Sequence, residues 1–382
     1  MGAPPGLNVS AAAAVKQVVD VPVMVVGKIT DPRLAEDILD KGQADMVVMG
    51  RALLADPELP NKAAEGRFED IAPCTSCGLG CLRTQLTYEP MTCVINPTVG
   101  SEKEMAITPA EKPKRVLVVG GGPGGLEAAR VAALRGHRVT LYEKEAKLGG
   151  QLNLAAIPPM KQELSKWIIY LSGQVEKVGV RVELNKEVTP ELIEEMKPDV
   201  VVVATGGECL IPPIPGVDGP KVIAGTAVLK GQVAISRGKV LIIGGGMVGC
   251  ELADMLADPG YNQTTGRTPV TIVEMLADIG LDIIPQTRML LLPRLQEKGV
   301  KVITSATVKE VLEDGVVITR DGQEETIRGM DYIILACGTK SVDKLSEKIK
   351  DKVAEVYVIG DAKEPRKALE AIAEGAEVGR KI

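Results

Sequence analysis

Aromatic side chains are nearly missing from these 382 residues: they make up 2%, with one Phe and one Trp. A chain so poor in rings offers no stacking platform for single-stranded nucleic acid. Positive charge is not in excess either. Lys and Arg number 45 against 51 Asp and Glu, a net charge of −6, which excludes bulk attraction to nucleic acid or an acidic bilayer. His137 is the single histidine. That removes a His-rich metal site and Ser–His–Asp chemistry from consideration, and His137 itself reads as structural. No run of about 20 apolar residues escapes interruption by charges or turn residues, so no membrane span is expected. The first residues lack the basic n-region of an export signal, and Lys16 and Asp20 interrupt them.

What is present is 45% apolar residues, 25% charged residues and 41 glycines. This is the balance of α/β layers, spread over two to three domains at roughly 150 residues each. Of seven cysteines, four lie between positions 74 and 93. With no export signal, such a cluster implies a metal site in a reducing, cytoplasmic compartment, not a disulfide framework. Cys209, Cys250 and Cys337 stand singly in apolar contexts and read as inert buried thiols.

Pattern changes divide the chain. PVMVVG (22–27) and DMVVMGR (45–51) are short apolar runs ending at glycine, as buried parallel strands do. Between them, helical spacing over 31–44 begins with Asp31 as N-cap and Pro32 at the first helical position. Residues 1–70 are thus two βα units. Residues 71–100 hold the cysteine cluster, and 101–113 form a polar linker. At 114 a strand, Gly-rich turn, helix and strand begin, and KVLIIGGGMVGCELADMLAD (239–258) repeats them.

Gly120, Gly122 and Gly125 form GxGxxG directly after a strand. The first glycine makes the tight turn, the second admits a pyrophosphate, and the third lets helix pack on strand. Phosphates then sit at the positive end of the helix that starts near Gly124. The next strand ends in Glu143, placed to bind a ribose diol. Gly244, Gly246 and Gly249 repeat the fingerprint, and Glu274 ends the following strand after a longer interval stretched by the polar insert at 258–268. Glu274 repels a 2′-phosphate and no Arg follows to receive one, so NADH is expected over NADPH.

Cys74, Cys77, Cys81 and Cys93 are spaced C-x2-C-x3-C-x11-C. Four thiolates can hold zinc or an iron–sulfur cluster. Three ligands in one loop with a fourth returning alone suit a 4Fe-4S cubane better than the paired knuckles of zinc; unligated thiols are the bland alternative.

Two such Gly-rich turns in one chain resemble the two-dinucleotide-binding flavoproteins. VVVATGG (201–207), GGQL (149–152) and VYVIGDA (356–362) match the motifs of that superfamily. The resemblance implies FAD at the first turn and the nicotinamide nucleotide at the second. It also implies that Gly150 and Gln151 pass the isoalloxazine and that Ala204, Thr205 and Gly206 end the first domain. Gly360 and Asp361 would then meet the ribityl chain or pyrophosphate, and Val188 the adenine. No cysteine pair follows near 150, so exchange through a paired thiol is not expected.

With the βα units and the cysteine loop followed by Asn96-Pro97 added, the whole chain resembles the C-terminal part of a known group. It is the 2,4-dienoyl-CoA reductase, enoate reductase and trimethylamine dehydrogenase group of NADH:flavin oxidoreductases (old yellow enzyme family). The implied fold class is α/β. It comprises two Rossmann-like domains, FAD at 114–230 plus 339–382 and NAD at 231–338. They are preceded by the last two βα units of a TIM barrel and an iron–sulfur loop. Gly27, Lys28, Gly50 and Arg51 match the barrel's FMN phosphate positions.

The implied activity is hydride transfer from NADH to FAD, then electron transfer to the cluster. In the intact enzyme electrons go on to FMN, for reduction of an activated C=C bond of an enoate or enoyl-CoA. Six barrel units are expected to be missing, so FMN should bind weakly and no catalytic residue is assigned. The alternative is a remnant or subunit that binds FAD and NADH and supports a separate barrel chain. Neither reading calls for a nucleic acid or membrane partner.

Overall fold

The computed structural model describes residues 2–261 and 268–382. Most of the polar insert expected at 258–268 therefore lies outside the described residues. The chain divides into two compact units. One comprises Met1–Asn153, Glu163–Gly206 and Asp343–Ile382; the other comprises Leu154–Gln162 and Gly207–Val342.

The first unit begins with the two βα units. Strands β1 (Met24–Val26) and β2 (Met46–Val48) pair in parallel, Met24 opposite Met46 and Val26 opposite Val48. The helix between them, Pro32–Asp40, starts as the sequence implies: the Asp31 side chain accepts a hydrogen bond from the Arg33 N–H and Pro32 opens the first turn. It stops short of Ala44 because Gly42 takes a left-handed φ of +63°. Val25, Ile29, Ile38 and Ala44 form a small core here. The alternate residues Met24, Val26, Met46 and Val48 stay exposed. Among the described residues no further strand joins this pair.

The same unit carries a five-stranded parallel sheet. Its members are β3 (Arg115–Val119), β4 (Arg138–Tyr142), β5 (Arg181–Glu183), β6 (Val200–Val203) and the late strand Glu355–Val358. The order is late strand, β6, β3, β4, β5. All four valines of β6 are fully buried, as expected of a central strand covered on both faces.

The first fingerprint helix, Pro123–Leu134, packs against the closing helix, Ala368–Lys381. Small residues permit the contact. A Cβ on Gly375 would stand 2.3 Å from the Gly124 carbonyl oxygen, and one on Gly124 would stand 2.8 Å from that of Ala371. Gly124, expected at the cofactor, thus serves helix–helix approach.

In the second unit the first strand is β7 (Gly207–Cys209). It is followed by β8 (Val222–Ala224), β9 (Val240–Ile243), β10 (Val270–Val273) and β11 (Lys301–Ile303). An antiparallel three-stranded sheet follows: β12 (Ala306–Leu312), β13 (Gly315–Arg320) and β14 (Gln323–Ile327). β15 (Tyr332–Leu335) completes a parallel sheet of order β11-β10-β9-β15-β8, and β16 (Thr339–Ser341) pairs with β7. The second fingerprint helix, Met247–Leu256, buries Cys250, Leu252, Ala253 and Leu256 in the core of this unit. Among the described residues no helix is long and apolar enough to cross a membrane.

Candidate functional site

At the first turn, Gly120 has φ +112°, and a Cβ there would lie 2.3 Å from the Ala204 carbonyl oxygen. A Cβ on Gly125 would lie 2.0 Å from the Gly120 carbonyl oxygen. Neither position accepts a side chain. Gly122 is different: nothing stands within 4 Å of where its Cβ would be, which leaves the entrance to the first fingerprint helix open. That helix carries no side-chain cap at Gly122, so its N-terminal dipole is available to an anion.

Glu143 is buried. Its Oε2 accepts the Gly121 N–H at 2.7 Å and its Oε1 accepts the Glu145 N–H at 2.9 Å. A carboxylate has about four acceptor positions, so two remain for ribose hydroxyls. Gly121, absent from the sequence expectations, is crowded too, a Cβ there meeting the end of the Leu148 side chain at 2.5 Å.

Several distant motifs converge on this turn. Gly150, at φ +51°, packs on Gly122, a Cβ there lying 3.0 Å from the Gly122 Cα. The Gln151 amide donates to Asp361 Oδ2 at 3.0 Å, and Asp361 Oδ1 accepts the Arg366 N–H. Gly360, at φ +62°, donates its N–H to Glu374 Oε2 at 2.7 Å. Ala204 is bonded to the end of β3 through its N–H to Val119 O. Thr205 follows it, and Gly206 then turns the chain at φ +75°. Val188 is half-buried against Ile193, Val201 and their neighbours in the core. The open cradle at Gly122, the free helix N-terminus and the buried carboxylate fit the pyrophosphate and ribose of a dinucleotide.

The second turn repeats the glycine contacts and the carboxylate bonds of the first. Gly244 has φ +102° and would place a Cβ 2.4 Å from the Ala336 carbonyl oxygen; a Cβ on Gly249 would lie 1.9 Å from that of Gly244. Glu274, also buried, accepts the Gly245 N–H at 2.5 Å and the Leu276 N–H at 2.8 Å. Gly246 is the N-cap of the second fingerprint helix. One residue not anticipated is Asp282, whose Oδ1 accepts the Met247 N–H at 2.8 Å across 35 positions. Burial pushes the Cys250 thiol up to about 12 and that of Cys337 up to about 11, in keeping with inert thiols.

The cysteine loop closes on itself where Gly80 meets Thr92, a Cβ on Gly80 lying 2.2 Å from the Thr92 carbonyl oxygen. This returns Cys93 towards the three earlier cysteines. Burial raises the thiols of Cys74 and Cys81 and pushes that of Cys93 to about 11. Cys77 adds a smaller upward push to all three, and Arg51 draws Cys74 and Cys81 down. Among the described residues no group of three or more His, Cys, Asp or Glu is gathered closely enough for a metal ion. The cysteines expected as cluster ligands are thus not brought together here; metal binding deprotonates such ligands and is coupled to their folding. The hydroxyl oxygens of Thr75 and Thr92 are buried without a hydrogen-bond partner. Donors of this kind suit the sulfurs of a cluster, whose potential hydrogen bonds help to set.

Of the residues expected to meet an FMN phosphate, Gly27 is enclosed by the N-terminal segment. Its carbonyl accepts the Leu7 N–H, and a Cβ there would stand 3.0 Å from the Asn8 nitrogen. The Lys28 ammonium is engaged by the Ala3 carbonyl and by Glu163, each at 2.6 Å. Its charge therefore ties the βα units to the helix Glu163–Lys177. Gly50 opens the helix Gly50–Ala55, and Arg51, next to it, acts on the cysteine loop as described.

Residues 114–375 match the family model described as pyridine nucleotide-disulphide oxidoreductase. Residues 6–70 match that of the NADH:flavin oxidoreductase / NADH oxidase family. A metal reductase of Desulforamulus reducens is 39% identical over 97% of this chain and 59% of its own length. A cinnamate reductase of Clostridium sporogenes is 36% identical over 96% of this chain and 54% of its own. Among solved structures, a 2-naphthoyl-CoA reductase complex superposes with a TM-score of 0.92 at 35% identity, covering 99% of this chain and 57% of that one. The chain thus spans somewhat more than half the length of the relatives it matches.

Proposed function

The chain belongs to the pyridine nucleotide-disulphide oxidoreductase family. On that premise we propose that it is the dinucleotide-binding part of a cytoplasmic, NADH-dependent flavin and iron–sulfur oxidoreductase. Its substrates are compounds with an activated C=C bond, of the enoate or enoyl-CoA class. The observation that supports this most is the doubled turn, with Glu143 bridging Gly121 and Glu145, and Glu274 bridging Gly245 and Leu276.

In this reading the first turn holds FAD. Gly120, Gly122 and Gly125 give its pyrophosphate close access to backbone N–H groups, Glu143 takes the ribose, and Gln151 and Asp361 line its path. Ala204, Thr205, Gly206, Gly150 and Gly360 shape the backbone around it, and Val188 borders the adenine. Gly244, Gly246, Gly249 and Glu274 hold NADH. Cys74, Cys77, Cys81 and Cys93 ligate a 4Fe-4S cluster, with Thr75 and Thr92 as hydroxyl donors to it. Gly27, Gly50 and Arg51 are left to grip the phosphate of FMN, Lys28 being held by Glu163. Bound together, these groups supply a hydride acceptor that returns electrons singly. The protein's part is to exclude water, fix orientation and set potentials.

Anaerobically purified protein should carry about one FAD, and about four iron and four sulfide, per chain. Cys77→Ser should lose the iron and keep the FAD. Stoichiometric zinc without sulfide would remove the cluster from the reading. The exposed apolar residues of β1 and β2 favour a second reading, a subunit that lends FAD and NADH to barrel strands of another chain. Sedimentation of the purified protein and of its native complex separates the two.

A further inference from the structure

The two turns share their hydrogen bonds up to one position. In the first, the Gly149 N–H donates to Gly121 O at 2.8 Å, and in the second the Gly280 N–H donates to Gly245 O at 2.7 Å. Two residues beyond each of these anchors stand Gln151 and Asp282. The Gln151 amide donates to Asp361. The first residue of that helix is Pro123, which has no N–H to offer. Asp282 instead accepts the Met247 N–H, the first donor of the second fingerprint helix. Its Oδ1 lies 3.5 Å from where a Cβ on Gly246 would be. A carboxylate therefore occupies the place where the fingerprint presents a donor to a phosphate.

This rests on the reading of the second turn as the NADH site. We propose that Asp282 is a built-in competitor for the dinucleotide pyrophosphate, and that NADH binds by displacing it from Met247. The orphan N–H groups and dipole of a helix N-terminus attract either anion. Two anions brought to one helix N-terminus repel each other. Displacement weakens NADH and NAD⁺ alike and speeds release of the spent nucleotide. In the absence of nucleotide, Asp282 keeps the turn satisfied and in shape.

The test uses the full chain with three probes: NADH, ADP-ribose and adenosine. Binding is measured by calorimetry, dissociation by stopped flow, and folding by thermal denaturation. Asp282→Asn and Asp282→Ala should bind NADH and ADP-ribose about tenfold more tightly, mainly through slower dissociation. Adenosine, which lacks the pyrophosphate, should bind all forms equally; a general loosening or tightening of the turn would move it as well. Asp282→Glu, which restores the charge, should return towards wild type. Asp278→Asn, whose native carboxylate pairs with Arg288, should change nothing. Unchanged or weaker ADP-ribose binding in Asp282→Asn, with its melting temperature kept, overturns the proposal. If neither NADH nor ADP-ribose binds the wild type or any variant, the assignment of the second turn to NADH is what fails.

Discussion

The two Gly-rich turns share their glycine contacts and carboxylate bonds and differ in what surrounds them. The first is enclosed by its own chain. Gly150 packs on Gly122, Gln151 reaches Asp361, and the closing helix presses on Gly124. The second carries no equivalent of these late contacts among those described for its own unit, and its helix donor is held by one aspartate. One fingerprint can thus be set in two different surroundings. The difference lies in the residues that follow the glycines, not in the glycines.

The largest effect that sharpens this comparison comes from the third glycine of each motif. Gly249→Val should lower NADH affinity by at least about 100-fold while leaving FAD bound, since the added carbons collide with the Gly244 carbonyl. Gly125→Val should release FAD and leave NADH binding intact. Flavin extraction and NADH titration of both proteins check this, and loss of both nucleotides in either variant breaks the distinction.

A middling effect is expected at the carboxylates. Glu274→Gln removes the repulsion towards a 2′-phosphate and should raise NADPH use relative to NADH about tenfold. Glu143→Gln should leave that ratio alone. Steady-state rates with an artificial acceptor measure it, and a wild type that already prefers NADPH contradicts the role given to Glu274.

The smallest effect concerns pH. Burial, then the positive charges of Arg135 and Lys114, hold the His137 imidazole below its ordinary value. The unfolded chain takes up this proton near pH 6.5 and the folded chain only at lower pH. Stability is therefore full above the unfolded value and is lost as pH falls through the lowered folded one. The unit with the second turn has no histidine. Melting followed by flavin release should decline modestly from pH 7 to 5, and His137→Gln should flatten that decline.

The parts legible in the sequence are those whose physics is local. Asp31 and Pro32 start a helix wherever they stand. The glycines before Pro123 and Met247 announce their turns because left-handed φ and close approach leave little choice of residue. Gly121 and Gly245 were not legible, since they fill a variable position of the motif and their crowding comes from Leu148 and Ile279. Lys28 shows the same limit from another side. A sequence displays its charge, but its partner, Glu163, lies 135 positions away. Asp282 meets Met247 from 35 positions away, beyond the strand β10. In the closing helix, Ala371, Gly375 and Gly379 recur every four residues, a spacing that marks a close-packed face once its partner helix is known.

That close-packed face also sets an order of events during synthesis. The unit with the second turn is nearly continuous along the chain and can fold as soon as it has left the ribosome. The first unit is split around it. Its sheet lacks the strand Glu355–Val358, and its fingerprint helix lacks the cover of Ala368–Lys381, until the late residues are translated. Such contacts between residues distant along the chain are slow to form. The second turn is therefore able to mature while the ribosome is still working, whereas the first turn has to wait for the late helix Ala368–Lys381.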